Sequence, residues 1–420
     1  MRKLLFLVLV GLCAPWAAAA QDDVRRIEVV IEGNQAGLDA WVAGFRSRAL
    51  ALGISSATFD AAMAGVTFLP DVVERDRRQD EFTRTIWDYM DRAVSDDRIA
   101  FGRKALKQQA EVLDRIEATY GVDREAVVAI WGLESSYGAV RGDTPTLSAL
   151  ATLAYDGRRG AFFEAELVEA LRILQSGDTT ADRMKGSWAG AMGHTQFMPS
   201  SYQRLAVDFD GDGRRDIWGD DPADALASTA AYLARAGWKK GRPFAAEVRL
   251  PGGFDYLLAG PRTARPMAHW AALGLTDAGG GPLQGDDWGA LLLPAGAGGP
   301  AFLIFDNFAA IETYNLADSY VFAVGHLADR LAGGGPIVAG WPRQLRAMTY
   351  FERIELQRRL SIAGHDAGGL DAKMGPRTQA AIRAVQGELG LPPDGYPSLP
   401  LLQAMRDWQG RVPDPIPGGR

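Results

Sequence analysis

From residue 36 to about residue 180, apolar residues recur three and four places apart, the spacing of one helix face. Gly37 to Gly53 follows this rule, and Asp96 to Tyr120 reads as one long charged amphipathic helix with few breakers. Residues 124–180 continue in helices, with a polar loop at Arg141 to Pro145. Helices patterned this way must bury their faces against one another, so the fold is expected to be mainly α. Two stretches interrupt the pattern. Residues 186–202 mix small and aromatic residues around Gly186, Gly190 and Gly193, the composition of backbone that packs closely or lines a cleft. Residues 243–312 hold strand-like runs at Val248 to Leu250 and Phe302 to Phe305 among many glycines and prolines, which predicts a small mixed insertion and an α+β class overall.

The chain has 420 residues, too many for one simple core. Helical patterning returns at 222–237 and 314–331, and Gly333-Gly334-Gly335-Pro336 marks a linker. We place a main domain at 21–340 and a separate module at 343–410, small enough to serve as a binding unit. Residues 1–20 read as a cleavable export signal: Arg2 and Lys3, an apolar run from Leu4 to Leu12, then Ala18-Ala19-Ala20 before Gln21. Cys13 is the lone cysteine, and bulky Leu12 before it suits lipidation poorly. The mature chain would then carry no thiol chemistry, although it works outside the reducing cytosol, in the periplasm. No later stretch is apolar for long enough to span a bilayer. The net charge of −7 argues against a nucleic-acid partner.

Trp131-Gly132-Leu133-Glu134-Ser135-Ser136-Tyr137-Gly138 ends the third helical stretch. Val127, Ile130 and Trp131 precede Glu134 by seven, four and three residues, which puts the carboxylate on the apolar face. Gly138 is a helix stop, so Glu134 falls near the negative end of the helix dipole. Both surroundings disfavour the anion, and a carboxylic acid kept protonated near neutral pH suits general acid catalysis. A structural glutamate bonded to backbone or arginine would leave the same local pattern. Glu164, Glu166 and Glu169 fall on a helix that reads as partly solvated, and we take them as surface charge. Asp156 and Glu312 are further acids with no motif to place them opposite Glu134.

Asp208-Phe209-Asp210-Gly211-Asp212-Gly213-Arg214-Arg215-Asp216 opens a loop, 208–219, with acids at positions one, three, five and nine and Gly at six. That is an EF-hand-like pattern for a hard cation such as Ca2+, with the Arg214 carbonyl at position seven. Gly219 stands where the bidentate Glu belongs, and Asp224 is the candidate to replace it. A solvated acidic turn is the alternative. The role expected of an ion here is structural, and no organic cofactor is expected. His194, His269, His326 and His365 are too scattered for a zinc site, and neither a nucleophile elbow nor a phosphate loop is evident.

Taken in order, Trp131-Gly-Leu-Glu134-Ser-Ser-Tyr137-Gly, Ser187-Trp-Ala-Gly-Ala-Met-Gly193, Gln196-Phe-Met-Pro-Ser-Ser-Tyr202, the Asp208 loop with Asp216-Ile-Trp218, and Tyr314-Asn-x-x-x-Ser-Tyr320 resemble the lytic murein transglycosylase B family over roughly residues 36–335. Leu356-Gln357-Arg-Arg-Leu360, Gly375-Pro376-x-Thr378 and Gly390-Leu391-Pro392-x-Asp394-Gly395 resemble a small three-helix peptidoglycan-binding domain. The resemblance implies a lysozyme-like helical domain with a glycan cleft. Glu134 matches the family's single catalytic acid/base, protonating the bond between N-acetylmuramic acid and N-acetylglucosamine. It then deprotonates the muramic C6 hydroxyl, which closes a 1,6-anhydro ring. Ser187 and Gln196 match positions that bond substrate or Glu134, and Tyr89, Tyr232, Tyr314 and Tyr320 match aromatic wall positions. His194 and Thr195 receive no role. The implied partners are peptidoglycan strands and cell-wall synthesis or divisome proteins. Two other readings stay open at this point: a muramidase using water, and a non-catalytic wall-binding scaffold.

Overall fold

The computed structural model describes residues 33–77 and 84–409. The export segment and Cys13 lie outside the described residues. Helices dominate, and among the described residues none is long and apolar enough to cross a membrane.

The helix Arg124–Ser135 is the hub of the main domain. Its interior is buried on every side, from Ala126 through Gly132. It packs against Asp318–Leu331, Asp96–Gln108, Ala223–Arg235 and Ala110–Tyr120. Each fully buried aliphatic side chain there contributes roughly 1.5–3 kcal/mol. A second core forms around Thr146–Asp156, which is likewise buried along most of its length and rests on Gly160–Ser176. Tyr314 packs against both cores.

Asp96 to Tyr120 is two helices rather than one, broken at Gln109 (φ −105°, ψ 19°). The two halves serve different partners: Ile99 and Ala105 face the hub and Asp318–Leu331, while the second half lies on Ala223–Arg235. Lys107-Gln108-Gln109 offers no apolar side chain that would hold a straight helix through the change. Glu166 also departs from expectation. It is buried at 5% exposure and accepts from the Ser200 amide (2.9 Å) and hydroxyl (2.7 Å), capping the helix Pro199–Leu205. Its neighbours Glu164 and Glu169 pair with Arg48 and Arg172. The periodicity places Glu166 on the solvated side, but the helix Pro199–Leu205, distant in sequence, covers it.

Residues 245–304 build an antiparallel sheet in the order Arg265–Pro266, Trp288–Leu292, Ala301–Ile304, Ala245–Arg249, Thr276–Asp277. One face buries Val248, Leu291 and Leu303 with Trp270. Helices Tyr350–Ile362, Pro376–Glu388 and Leu399–Gln409 form the C-terminal module around Leu356, Leu360, Ile382, Val385 and Leu402. The capping box Thr349/Glu352 starts the first. The module is seated on the main domain. Asp394 accepts from the Ala297 amide at 2.8 Å, Arg343 pairs with Asp91 at 2.6 Å, and Trp341 lies 6.2 Å from Trp87.

Candidate active site

Glu134 is the second-to-last residue of the hub helix, and it is half-buried. The chain leaves the helix through three consecutive left-handed residues, Ser136 (φ 51°), Tyr137 (φ 59°) and Gly138 (φ 84°). Two of these are not glycine, a costly arrangement that persists only when its surroundings enforce it. The Ser135 hydroxyl accepts from the Gly138 amide at 3.0 Å and donates to the His194 carbonyl at 2.5 Å. The Tyr137 hydroxyl donates to the Arg98 carbonyl at 2.8 Å. Gly132 and Gly102 leave the slot for the Tyr137 ring, since a Cβ on either would meet it at 2.6 Å. Arg98 donates to the Gly132 carbonyl. A cation therefore sits at the helix end where the sequence alone suggested only a negative dipole.

The Tyr320 hydroxyl donates to Glu134 Oε1 at 2.5 Å. Burial and then the Glu134 charge hold this phenol well above its ordinary pKa, so it remains a donor. Tyr314 stacks on Tyr320 at 6.4 Å and 10°, and its pKa is raised by the same two causes in the same order. Tyr232 lies 4.8 Å from Tyr314. Tyr89 is partly buried and packs against the same core as Tyr320. Tyr320 thus touches Glu134, and Tyr314 and Tyr232 follow in series behind it. Two of their hydroxyls are tied to backbone: Tyr314 to the Thr195 carbonyl and Tyr232 to the Thr313 carbonyl, both at 2.5 Å.

The glycine-rich wall is a set of tight turns. Gly186 bridges Met192, and Met192 bridges Phe197. A Cβ at Gly186 would stand 1.9 Å from the Ala191 carbonyl. Ser187 accepts from the Ala191 amide at 3.2 Å. Gln196 adopts φ 53° and donates to the Arg141 and Gly193 carbonyls at 2.9 and 2.8 Å, so its amide nitrogen holds the wall to the Arg141 loop. Asp156 stands apart, paired with Arg77 at 2.6 Å.

His194, to which the sequence gave no role, is 3% exposed beneath this wall. Its Nδ1 accepts from Trp131 Nε1 at 3.1 Å, which leaves Nε2–H to donate to the Gly219 carbonyl at 2.8 Å. Burial lowers its pKa, consistent with a neutral ring. Its ring would lie 2.6 Å from a Cβ on Gly138. His194 therefore joins the last turn of the Glu134 helix to the end of the acidic loop. One histidine between two motifs carries no periodic or spacing signal, which is why sequence reasoning missed it.

In that loop the carboxylate oxygens of Asp208, Asp210 and Asp212 come within 4.8 Å of one another, all exposed. Gly211 (φ 82°) and Gly213 (φ 88°) make the turns. Three convergent oxygens are the donor chemistry of a hard cation. Asp224 does not join them. It is 3% exposed and accepts from the amides of Phe209 (2.7 Å) and Asp216 (2.8 Å), closing the loop onto the helix Ala223–Arg235. Burial pushes its carboxyl up to about 6. Asp216, at position nine, also turns away to the Trp218 and Gly219 amides and to Arg183.

A lysozyme-like helical body in which a tyrosine cluster holds a glutamate at a helix end is the build of a glycan-cleaving enzyme. Residues 37–329 match the family described as Transglycosylase SLT domain, and the chain belongs to that family. Residues 352–405 match the Putative peptidoglycan binding domain. Membrane-bound lytic murein transglycosylase B of Escherichia coli (strain K12) is 37% identical over 251 residues, 58% of this chain and 66% of that protein. SltB3 from Pseudomonas aeruginosa, solved in complex with NAG-anhNAM-pentapeptide, is 51% identical with a TM-score of 0.86, over 88% of this chain and 99% of that one. The Escherichia coli lytic transglycosylase SLT35, solved in complex with calcium, is 31% identical with a TM-score of 0.60, over 71% and 93%.

Proposed function

We propose that this chain is a peptidoglycan lytic transglycosylase that cuts the MurNAc-β-1,4-GlcNAc bond without water and leaves 1,6-anhydro-MurNAc ends. The observation that carries the reading is the Glu134 carboxyl, held by a hydrogen bond from the buried Tyr320 hydroxyl. The Glu134 carboxyl gives its proton to the glycosidic oxygen as the C1–O bond breaks. The resulting carboxylate takes the C6 hydroxyl proton while that oxygen closes on C1, which restores the acid with no water consumed. Tyr320 stays bonded to one carboxyl oxygen throughout, leaving the other to move the proton. Tyrosine faces offer the sugar rings an apolar surface, and Ser187 and Gln196 line the wall that substrate meets. A hydrolase would need a second carboxylate across the bond, and Asp156, one candidate, is committed to Arg77. The relative's complex with an anhydro-muramyl peptide supports the same product here.

Asp208, Asp210 and Asp212, with the Arg214 carbonyl, would hold Ca2+, which would cross-link the acidic loop and neutralise its charge. Asp224 backs that loop from behind. Residues 1–20 direct the chain to the periplasm in this reading, and the C-terminal module holds it on the wall. The test is digestion of purified sacculi followed by mass spectrometry of the products. Anhydro-muramyl ends are expected; reducing muramic ends would replace this reading with a muramidase, and no release would leave a scaffold.

A further inference from the structure

A groove of about 640 Å³ lies outside the cleft, where the helical body meets the sheet insertion. Trp238, Lys239, Arg242, Asp287, Trp288 and the stretch Phe305 to Asn307 line it. Trp288 is 64% exposed, an uncommon position for so large an apolar ring. Its strand is held in place because Trp270 Nε1 donates to the Gly289 carbonyl at 2.8 Å. The facing turn is equally fixed. Buried Asn307 bonds the Lys239 and Arg242 carbonyls at 2.9 and 2.7 Å, and Asp123 holds the Trp238 indole at 2.8 Å and the Gly241 amide. The groove is thus preformed, which spares a ligand the cost of ordering it.

Its charges cancel. Arg242 pairs with Asp287 at 3.0 Å and Lys240 with Glu117 at 3.5 Å. A fixed aromatic face beside balanced polar side chains suits an uncharged, hydroxyl-rich ring better than a phosphate or an acidic peptide. The groove also shares its supports with the cleft. The helix Asp306–Glu312 starts in the groove and ends beside Thr313 and Tyr314, and the helix Ala223–Arg235 carries Tyr232 and runs out at Trp238. Seven helical residues span about 10 Å, on the order of one disaccharide.

We propose that this groove is a distal binding site for an N-acetylated glycan, with Trp288 as its stacking platform, so that long strands are gripped beyond the cleft. The inference rests on the glycan-cleaving reading above, and two measurements separate them. In the first, chitohexaose is titrated into full-length Glu134→Gln protein by calorimetry. Adding Trp288→Ala should remove one class of site from the isotherm. An isotherm unchanged by Trp288→Ala overturns the groove, whatever the enzyme's products are. In the second, kcat/KM is compared on long glycan strands and on a tetrasaccharide. Trp288→Ala should lower the long-to-short ratio at least five-fold through KM. Trp288→Phe should restore most of it, and Leu257→Ala, an exposed residue of the same insertion, should leave it at the wild-type value. An unchanged ratio in Trp288→Ala overturns the proposal, while absence of anhydro products would refute the catalytic reading and leave the calorimetric result standing.

Discussion

Before any substrate arrives, one oxygen of Glu134 is occupied by Tyr320. Removing the acid and removing its guide should therefore differ in size. Glu134→Gln should lower kcat by about 10³-fold or more, with near-wild-type far-UV circular dichroism; substantial residual turnover would refute the assignment. Tyr320→Phe keeps the stacked ring and deletes only the donor. It should cost about ten- to a hundred-fold in kcat, the worth of a hydrogen bond to a charged group, and leave KM nearly unchanged. Glu134 was legible from its motif and helical phase. The tyrosines were legible only through the family pattern, because hydroxyl partners such as Thr195 and Thr313 lie far away in sequence. His194 was not legible at all: its value lies in two ring nitrogens reaching different elements.

At the scale of elements, the acidic loop hangs on two supports, Asp224 behind and His194 at its end. Calcium should raise the melting temperature, and Asp212→Ala should abolish that rise; identical melting curves with and without chelator would count against a bound ion. A second element depends on charge. Burial pushes the Asp76 carboxyl up, but hydrogen bonds from Arg158 and Arg159 outweigh it and hold it below the usual range. A depressed carboxyl stabilises the fold fully above its unfolded pKa, about 4, and loses that contribution as pH falls through the folded value. Asp76→Asn should thus cost about 2 kcal/mol at pH 7, with the gap from wild type closing below about pH 4 in urea melts. Element type was readable from apolar spacing, and two strands of the insertion from short apolar runs among glycines and prolines; the strand Trp288–Leu292 between them in sequence was not. The break at Gln109 and the burial of Glu166 were not, because each depends on which distant helix packs there.

Across the whole molecule, one docking contact runs through Asp394, which accepts from the Ala297 amide and, inside the module, from Gln386 at 2.7 Å. Asp394→Ala should loosen that seat, seen as faster amide exchange at Ala297 and weaker sacculus retention, while tetrasaccharide cleavage stays near wild type. Unchanged exchange would mean that the Arg343 and Trp341 contacts suffice. The domain order was visible in sequence, since the linker glycines and the module's own motifs are local; the seam was not, because it joins residues 97 apart. The cleft wall carries one more consequence. Tyr232, Tyr314 and Tyr320 each give their hydroxyl to the protein itself, and Tyr314 lies flat on the buried Tyr320 ring. With hydroxyls and rings both committed, the three side chains form a brace behind the acid, so slack introduced at its far end, Tyr232, is passed through Tyr314 and Tyr320 to the carboxyl.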